Sequence, residues 1–181
     1  MKQLTDIAEQ AISYIRRGWS PVPVVYKDKM PSCGRGWEQL RLTEDDVETH
    51  FNNGETNIGV ILGPPSGGLV DIDLDCPEAL RLARFVLPKT ELRFGRESTP
   101  DSHWLYKAPI EGRTAYTDPI TNEMLVEIRS SGSQDKFHQT VFPPSIHTSG
   151  EEIYWSSNGD PLEIVDTKLI DSVSQLAALC L

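Results

Sequence analysis

Cysteine is scarce in this chain, and spacing does not pair what there is. Three cysteines occur in 181 residues, Cys33, Cys76 and Cys180, with no C-x-x-C pair. That argues against a structural zinc site or a disulfide framework, and reduced thiols lead to the expectation of a cytoplasmic protein. Long apolar runs are also missing. No stretch approaches the roughly 18 residues that a membrane helix needs, so no membrane partner is expected. The opening MKQLTDIAEQAISYIRRGW is polar and carries acids, unlike a secretory signal. Basic residues are in short supply as well. Seventeen Lys and Arg stand against 27 Asp and Glu, a formal net charge of −10. This speaks against a broadly basic surface for long, non-specific duplex contacts. It leaves room for a short basic groove, and for an acid cluster whose charge is offset by bound metal. Finally, Gly63-Pro64-Pro65-Ser66-Gly67-Gly68 lacks the Gly-Lys-[Ser/Thr] ending of a phosphate-binding P-loop and reads as a turn.

What is present is the composition of one ordinary globular domain, 38% hydrophobic and 24% charged. A chain of this size buries about two-thirds of its unfolded surface and needs no staple. Apolar residues at helical spacing predict a helix over 4–17, with Thr5 or Asp6 as cap and Gly18 as stop. A second helix is predicted from Thr43 to about Phe51, a third from Pro77 to about Phe85, and a last one over 166–180. Short strands are predicted at 19–25, 57–62, 68–74, 92–94, 103–106, 125–128, 140–142 and 153–155. Segments 27–37, 95–102 and 130–138 read as loops, and 110–123 as a polar connection with hairpin character. Interleaved helices and short strands point to an α+β (mixed α/β) domain.

Two strands carry the candidate chemistry. In Val70-Asp71-Ile72-Asp73-Leu74 the apolar residues share one face and the aspartates the other, about 7 Å apart. Like charges so placed need a cation or solvent, and hard carboxylates suit Mg²⁺ or Mn²⁺. Val126-Glu127-Ile128-Arg129 repeats the alternation, offering Glu127 as a third acid and Arg129 as a phosphate grip. His103, on the strand His103-Trp104-Leu105-Tyr106, is suited to a phosphate or metal contact. Each feature also has a plain structural explanation. The aspartates could be a solvated strand face, Glu127 and Arg129 a surface ion pair worth under about 1 kcal/mol, and His103 an ordinary hydrogen-bonded histidine.

The ordered motifs nevertheless resemble a known family. They run from Gly18-Trp19-Ser20-Pro21-Val22-Pro23 through Lys29-Met30-Pro31, Gly36-Trp37 and Asn57-Ile58-Gly59-Val60. They continue with Gly67-Gly68-Leu69-Val70-Asp71-Ile72-Asp73, Ser102-His103-Trp104-Leu105-Tyr106 and Val126-Glu127-Ile128-Arg129-Ser130-Ser131-Gly132. They close with Phe142-Pro143-Pro144-Ser145-Ile146-His147-Thr148-Ser149-Gly150 and Tyr154-Trp155. In this order they resemble the bifunctional primase-polymerase (prim-pol) domain of the archaeo-eukaryotic primase superfamily over about 10–156. The resemblance implies a mixed β-sheet, an RRM-like palm, flanked by helices. It implies a catalytic domain over 1–165 and a C-terminal helix, 166–181, as the candidate start of a linker to a further C-terminal region. It also implies a template-dependent DNA primase and polymerase serving a plasmid, phage or other mobile element, with single-stranded DNA template and dNTPs or NTPs as partners. A helicase domain in a longer protein and a monomeric state for this segment are further expectations.

Residue by residue, the resemblance assigns Asp71, Asp73 and Glu127 to two Mg²⁺ or Mn²⁺ ions. It assigns His103 to the nucleotide phosphates, beside which Arg129, read from its own strand face, is the further phosphate candidate. Lys29, Arg35, Arg96 and Lys136 are candidates for further phosphate or template contacts. The chain departs from the family pattern twice. Where Ser-x-His is common, Asp101 stands two before His103 with Ser102 adjacent, and the third acid is Glu127 where Asp is common. The competing readings are a glycosyltransferase using Asp-x-Asp to hold a metal and a nucleotide sugar, a metal-dependent nuclease, and a non-catalytic nucleic-acid-binding module.

Overall fold

The first helix, α1 (Asp6–Arg16), forms as its spacing predicts. Thr5 caps it, its hydroxyl oxygen accepting the Ala8 N–H at 3.2 Å, and Ala8, Ala11 and Tyr14 are its buried face. The computed structural model describes residues 4–52, 54–132 and 137–181. After α1 come β1 (Ser20–Val25), a single helical turn at Glu44–Asp46 leading into α2 (Val47–Phe51), β2 (Thr56–Ile61), β3 (Leu69–Leu74) and α3 (Pro77–Val86). Then follow β4 (Leu92–Arg96), β5 (Thr99–Lys107), β6 (Arg113–Thr117), β7 (Met124–Arg129), β8 (Gln139–Phe142), β9 (Tyr154–Asn158), β10 (Leu162–Glu163) and α4 (Lys168–Leu179).

Two sheets result. The smaller has the order β1-β2-β8, antiparallel throughout. Pro21 and Pro23 lie on its edge strand β1, where a missing N–H costs least. The larger has the order β6-β7-β3-β5-β4-β9, all antiparallel, with β10 adding a short parallel pairing to β5. It is therefore a mixed sheet with helices against it, the α+β architecture expected.

Differences from the expectation are local. The segment 95–102 is largely strand rather than loop, because β4 and β5 close a tight hairpin with Arg96 opposite Thr99. Only glycine fits at position 95, since a Cβ there would lie 2.4 Å from the Thr99 carbonyl oxygen. The register then slips, with Phe94 opposite His103, and Asp101 takes a left-handed φ of 54° within the irregularity. The polar connection 110–123 supplies β6, which pairs with β7. The two-residue β10 has no counterpart in the sequence reading. Residues 133–136 of the expected loop 130–138, Lys136 among them, lie outside the described residues.

Alternation on β3 divides the core in two. Val70, Ile72 and Leu74 join Trp104, Tyr106, Val126 and Ile128 against α3 and α4. Leu69, Leu92, Phe94 and Leu105 face the other way, into a second core with α1, α2 and the small sheet. Each large apolar side chain so buried contributes on the order of 1.5–3 kcal/mol. Both faces of β3 are thus covered. Asp71 and Asp73 share the face of Leu69, so they sit in the seam between the sheets and not on an open solvent face. Among the described residues no helix is long and apolar enough to cross a membrane.

Tyr14 ties α1 to the segment after β8, its hydroxyl donating to the buried Pro143 carbonyl at 2.6 Å. Tyr14→Phe leaves that oxygen without its donor. Unfolding in urea is expected to show a loss of roughly 1–3 kcal/mol with the folded-state circular dichroism spectrum unchanged.

Candidate active site

β3 lies at the middle of the large sheet, between β5 and β7. Its register sets Asp73 opposite His103 on one side and Glu127 on the other, while Asp71 stands opposite Leu105 and Arg129. Cross-strand partners share a face, so Asp71, Asp73, His103, Glu127 and Arg129 all project into the seam. The three strands that carried separate motifs in the sequence are therefore neighbours.

The acids do not all play one part. Asp73, Glu127 and Asp75 each offer an oxygen within 4.8 Å of the other two. Asp75 continues the β3 ladder, its N–H donating to the Leu125 carbonyl at 3.0 Å. Loss of hydration, then the charges of Asp73 and Glu127, push its carboxyl up to about 7. Asp73 is likewise held above the usual carboxylate range, first by burial, which His103 only partly offsets, and then by Asp71 and Glu127. Two arginines balance the group. Arg113 pairs with Glu127. Arg129 lies 3.4 Å from Asp73 Oδ2 and 3.8 Å from Glu127 Oε2, and donates to the Gln139 carbonyl at 3.0 Å. Three mutually repelling hard oxygen donors fit Mg²⁺ or Mn²⁺ and do not fit a soft, thiolate-seeking metal.

Asp71 is not one of the three. It is 0% exposed. Both its oxygens lie 3.1 Å from His103 Nδ1, and Oδ2 accepts from Thr140 Oγ at 2.7 Å. Burial alone would raise its carboxyl, but the charge and hydrogen bond of His103, with Arg129 and Thr140, hold it below the ordinary value. His103 responds in kind. Burial would lower it, and the charges of Asp73 and Asp71 outweigh that and raise it.

A cavity of about 300 Å³ opens beside these groups. Asp73 and Asp75 border it, and so do His103, Arg129, Lys29 and Arg96. Lys29 forms no ion pair among the described residues, whereas Arg96 is held by Glu151 at 3.1 Å. Arg35 is exposed and is not among the groups around the cavity. Ser102 borders it too, its hydroxyl buried without a partner among the described residues.

Sequence reasoning missed Asp75, Arg113, Gln139 and Thr140. Asp75 was recoverable, since the alternation of Asp71 and Asp73 runs on to it with the same parity. Thr140 and Gln139 carry no local signal, because their partners are 69 and 10 or more residues away and on another sheet.

No curated protein matches the chain. The family model described as bifunctional DNA primase/polymerase, N-terminal, matches residues 11–167. That span holds both sheets and every acid of the site, and the chain belongs to the bifunctional DNA primase/polymerase N-terminal family.

Proposed function

We propose that this domain makes and extends primers on a single-stranded DNA template, transferring nucleotides from dNTPs or NTPs to a 3′-hydroxyl, in the replication of a plasmid, phage or other mobile element. One observation carries this most directly: a single cavity is bordered both by the acids Asp73 and Asp75 and by the nitrogen donors of His103, Arg129, Lys29 and Arg96. A metal-bound triphosphate has the complementary polarity, cations at one end and phosphate oxygens at the other. Asp73, Asp75 and Glu127 would hold two Mg²⁺ or Mn²⁺ ions, displacing the contacts that Arg113 and Arg129 make to the acids. Bound there, the metals would lower the pKa of the attacking hydroxyl and offset the charge of the triphosphate and the departing pyrophosphate.

The rest falls to the chain's own groups. His103 presents its ring to the cavity beside Asp73 and would donate to a phosphate oxygen. Arg129, freed from Asp73, offers a planar fork for the same oxygens. Lys29 and Arg96 line the approach and would steady the outer phosphates or the template backbone. Such positioning and charge stabilisation suffice for phosphoryl transfer, which asks little other acid-base chemistry of a protein.

With primed and unprimed single-stranded template, nucleotides and Mg²⁺ or Mn²⁺, labelled nucleotide is expected to enter chains longer than the primer. Asp73→Asn and Glu127→Gln should each cut that incorporation by on the order of 10³-fold, since a metal's charge stabilisation is worth several kcal/mol. Absence of any nucleotide incorporation, with sugar transfer from a nucleotide sugar instead, would refute the assignment.

Asp75 adds a pH dependence whose sign is fixed. Its carboxyl is raised to about 7, so below that pH a proton competes with the cation. Mn²⁺ affinity measured by calorimetry is expected to climb as pH rises through 7. Without metal, ionising Asp75 opposes folding, and the cost appears as pH rises from the unfolded carboxylate range toward 7. Asp75→Asn should therefore raise the metal-free melting temperature at pH 8 and leave it unchanged at pH 4. It should also flatten the pH dependence of Mn²⁺ binding.

A further inference from the structure

We propose that Glu151 is a positioning residue: it bridges two turns and holds Arg96 and His147 as paired donors for the outer phosphates of the incoming nucleotide. This rests on the nucleotidyl-transfer reading of the same cavity, and it assigns the triphosphate tail a subsite separate from the acids that would hold the cations.

Two turns far apart in the sequence border the cavity together. The β4–β5 hairpin supplies Gly95, Arg96 and Thr99, and the segment between β8 and β9 supplies His147, Thr148 and Ile153. The second turn is closed by its own backbone. The His147 N–H donates to the Glu151 carbonyl at 2.8 Å, the Gly150 N–H to the His147 carbonyl at 2.9 Å, and the Ile153 N–H to the Ser145 carbonyl at 2.8 Å. Glu151 then fastens this turn to the hairpin. Its Oε1 accepts the Ser98 N–H at 2.8 Å. Its Oε2 accepts from Ser149 Oγ at 2.7 Å, Ser98 Oγ at 2.9 Å and Arg96 Nε at 3.1 Å. Donors so gathered, Ser149 and the Ser98 N–H foremost, push the Glu151 carboxyl down to about 2.

Arg96 is held at one nitrogen. Its Nε donates to Ser98 Oγ at 3.0 Å and to Glu151, and its terminal nitrogens make no hydrogen bond among the described residues. An acid placed to block this arginine would occupy the terminal nitrogens. One on Nε orients the guanidinium and leaves its fork for a phosphate.

His147 is held through Ser149. Glu151 takes the Ser149 hydroxyl, and the Ser149 N–H donates to His147 Nδ1 at 3.1 Å. Burial, then the charges of Arg96 and Lys29, keep this histidine below the ordinary range. With Nδ1 as acceptor, the neutral ring carries its proton on Nε2, which has no partner among the described residues. One carboxylate thus fixes a cationic fork and a neutral N–H that border the same cavity.

The anchor also survives metal binding. Arg129 is paired with Asp73 and Glu127, acids that the cations would claim. Glu151 is not in that group of acids, so Arg96 keeps its support when the cations arrive. A side chain already ordered gives up less conformational freedom on gripping a ligand.

The test measures nucleotide KM and kcat in primer extension, and binding of inorganic tripolyphosphate and of Mn²⁺ alone by calorimetry. Glu151→Gln, which keeps the size and loses the charge, should raise nucleotide KM about tenfold and change kcat less than about threefold, the scale of one charge-assisted hydrogen bond. Tripolyphosphate binding should weaken by a similar factor, with Mn²⁺ affinity within about twofold of wild type. Glu151→Asp, which keeps the charge, should recover part of the loss. Where both donors are removed, by Arg96→Gln with His147→Gln, Glu151→Gln should add nothing further to KM. Unchanged nucleotide KM and tripolyphosphate affinity in Glu151→Gln would overturn the assignment. So would a loss of Mn²⁺ binding equal to that in Asp73→Asn, or a weakening confined to template DNA. If Glu151→Gln does not fold, Ser98 decides, since its hydroxyl touches both Arg96 and Glu151. Ser98→Ala should then raise nucleotide KM about threefold and Ser98→Thr restore it, and an unchanged KM in Ser98→Ala overturns the proposal. Tripolyphosphate binding that depends on Glu151 in a protein that incorporates no nucleotide would refute the nucleotidyl-transfer reading and leave the phosphate subsite standing.

Discussion

A carboxylate taken wholly out of water must be met by donors, or it will not stay charged. Asp71 meets them from two directions, His103 within its own sheet and Thr140 from the other. That contact joins the two sheets at the point where the chemistry gathers. Around it the packing is apolar on both sides, with Leu69 and Leu105 on the same face, so the polar group sits in a dry setting where its bonds are strong. The order of the site depends on this junction. His103 is oriented by it, Asp73 lies beside His103, and Glu127 lies beside Asp73 on the next strand.

Charge is managed locally in a chain that is acidic overall. The acid trio of Asp73, Asp75 and Glu127 has two arginines on it, Arg113 and Arg129. Both lie on the side of the sheet that carries Glu127, and both occupy positions that cations would contest. The same cavity draws further positive groups from elsewhere, Lys29 from the loop after β1 and Arg96 from the β4–β5 hairpin. Gln139 links these regions, since its side chain donates to the Lys29 carbonyl at 2.7 Å and its own carbonyl accepts from Arg129. A chain with net charge −10 can thus present a polarised cleft without a basic surface.

Much of the fold was legible because local rules dominate it. The helix from Asp6 follows from the spacing of Ile7, Ala8, Ala11 and Ile15 and from the Thr5 cap. The strand at 69–74 follows from strict alternation. What was misread failed where non-local pairing overrides local composition. Glu97, Ser98 and Pro100 read as a polar loop, yet backbone pairing across the Gly95 contact makes a hairpin of them. Arg113–Thr117 is exposed and polar along most of its length, and is a strand because β7 offers it an edge.

The sequence by itself determined which residues share a face. A period of two placed Asp71 and Asp73 together and Glu127 with Arg129, and the same parity extends to Asp75. It could not tell what covers that face, because the cover comes from a sheet whose strands lie far away along the chain. Tertiary structure decided that the acid face is a seam and not a surface. It brought Asp75 to Glu127 and gave Asp71 to His103 and Thr140. The physical reason is that alternation is a property of one strand, whereas a carboxylate's partners depend on which strands and sheets pack beside it.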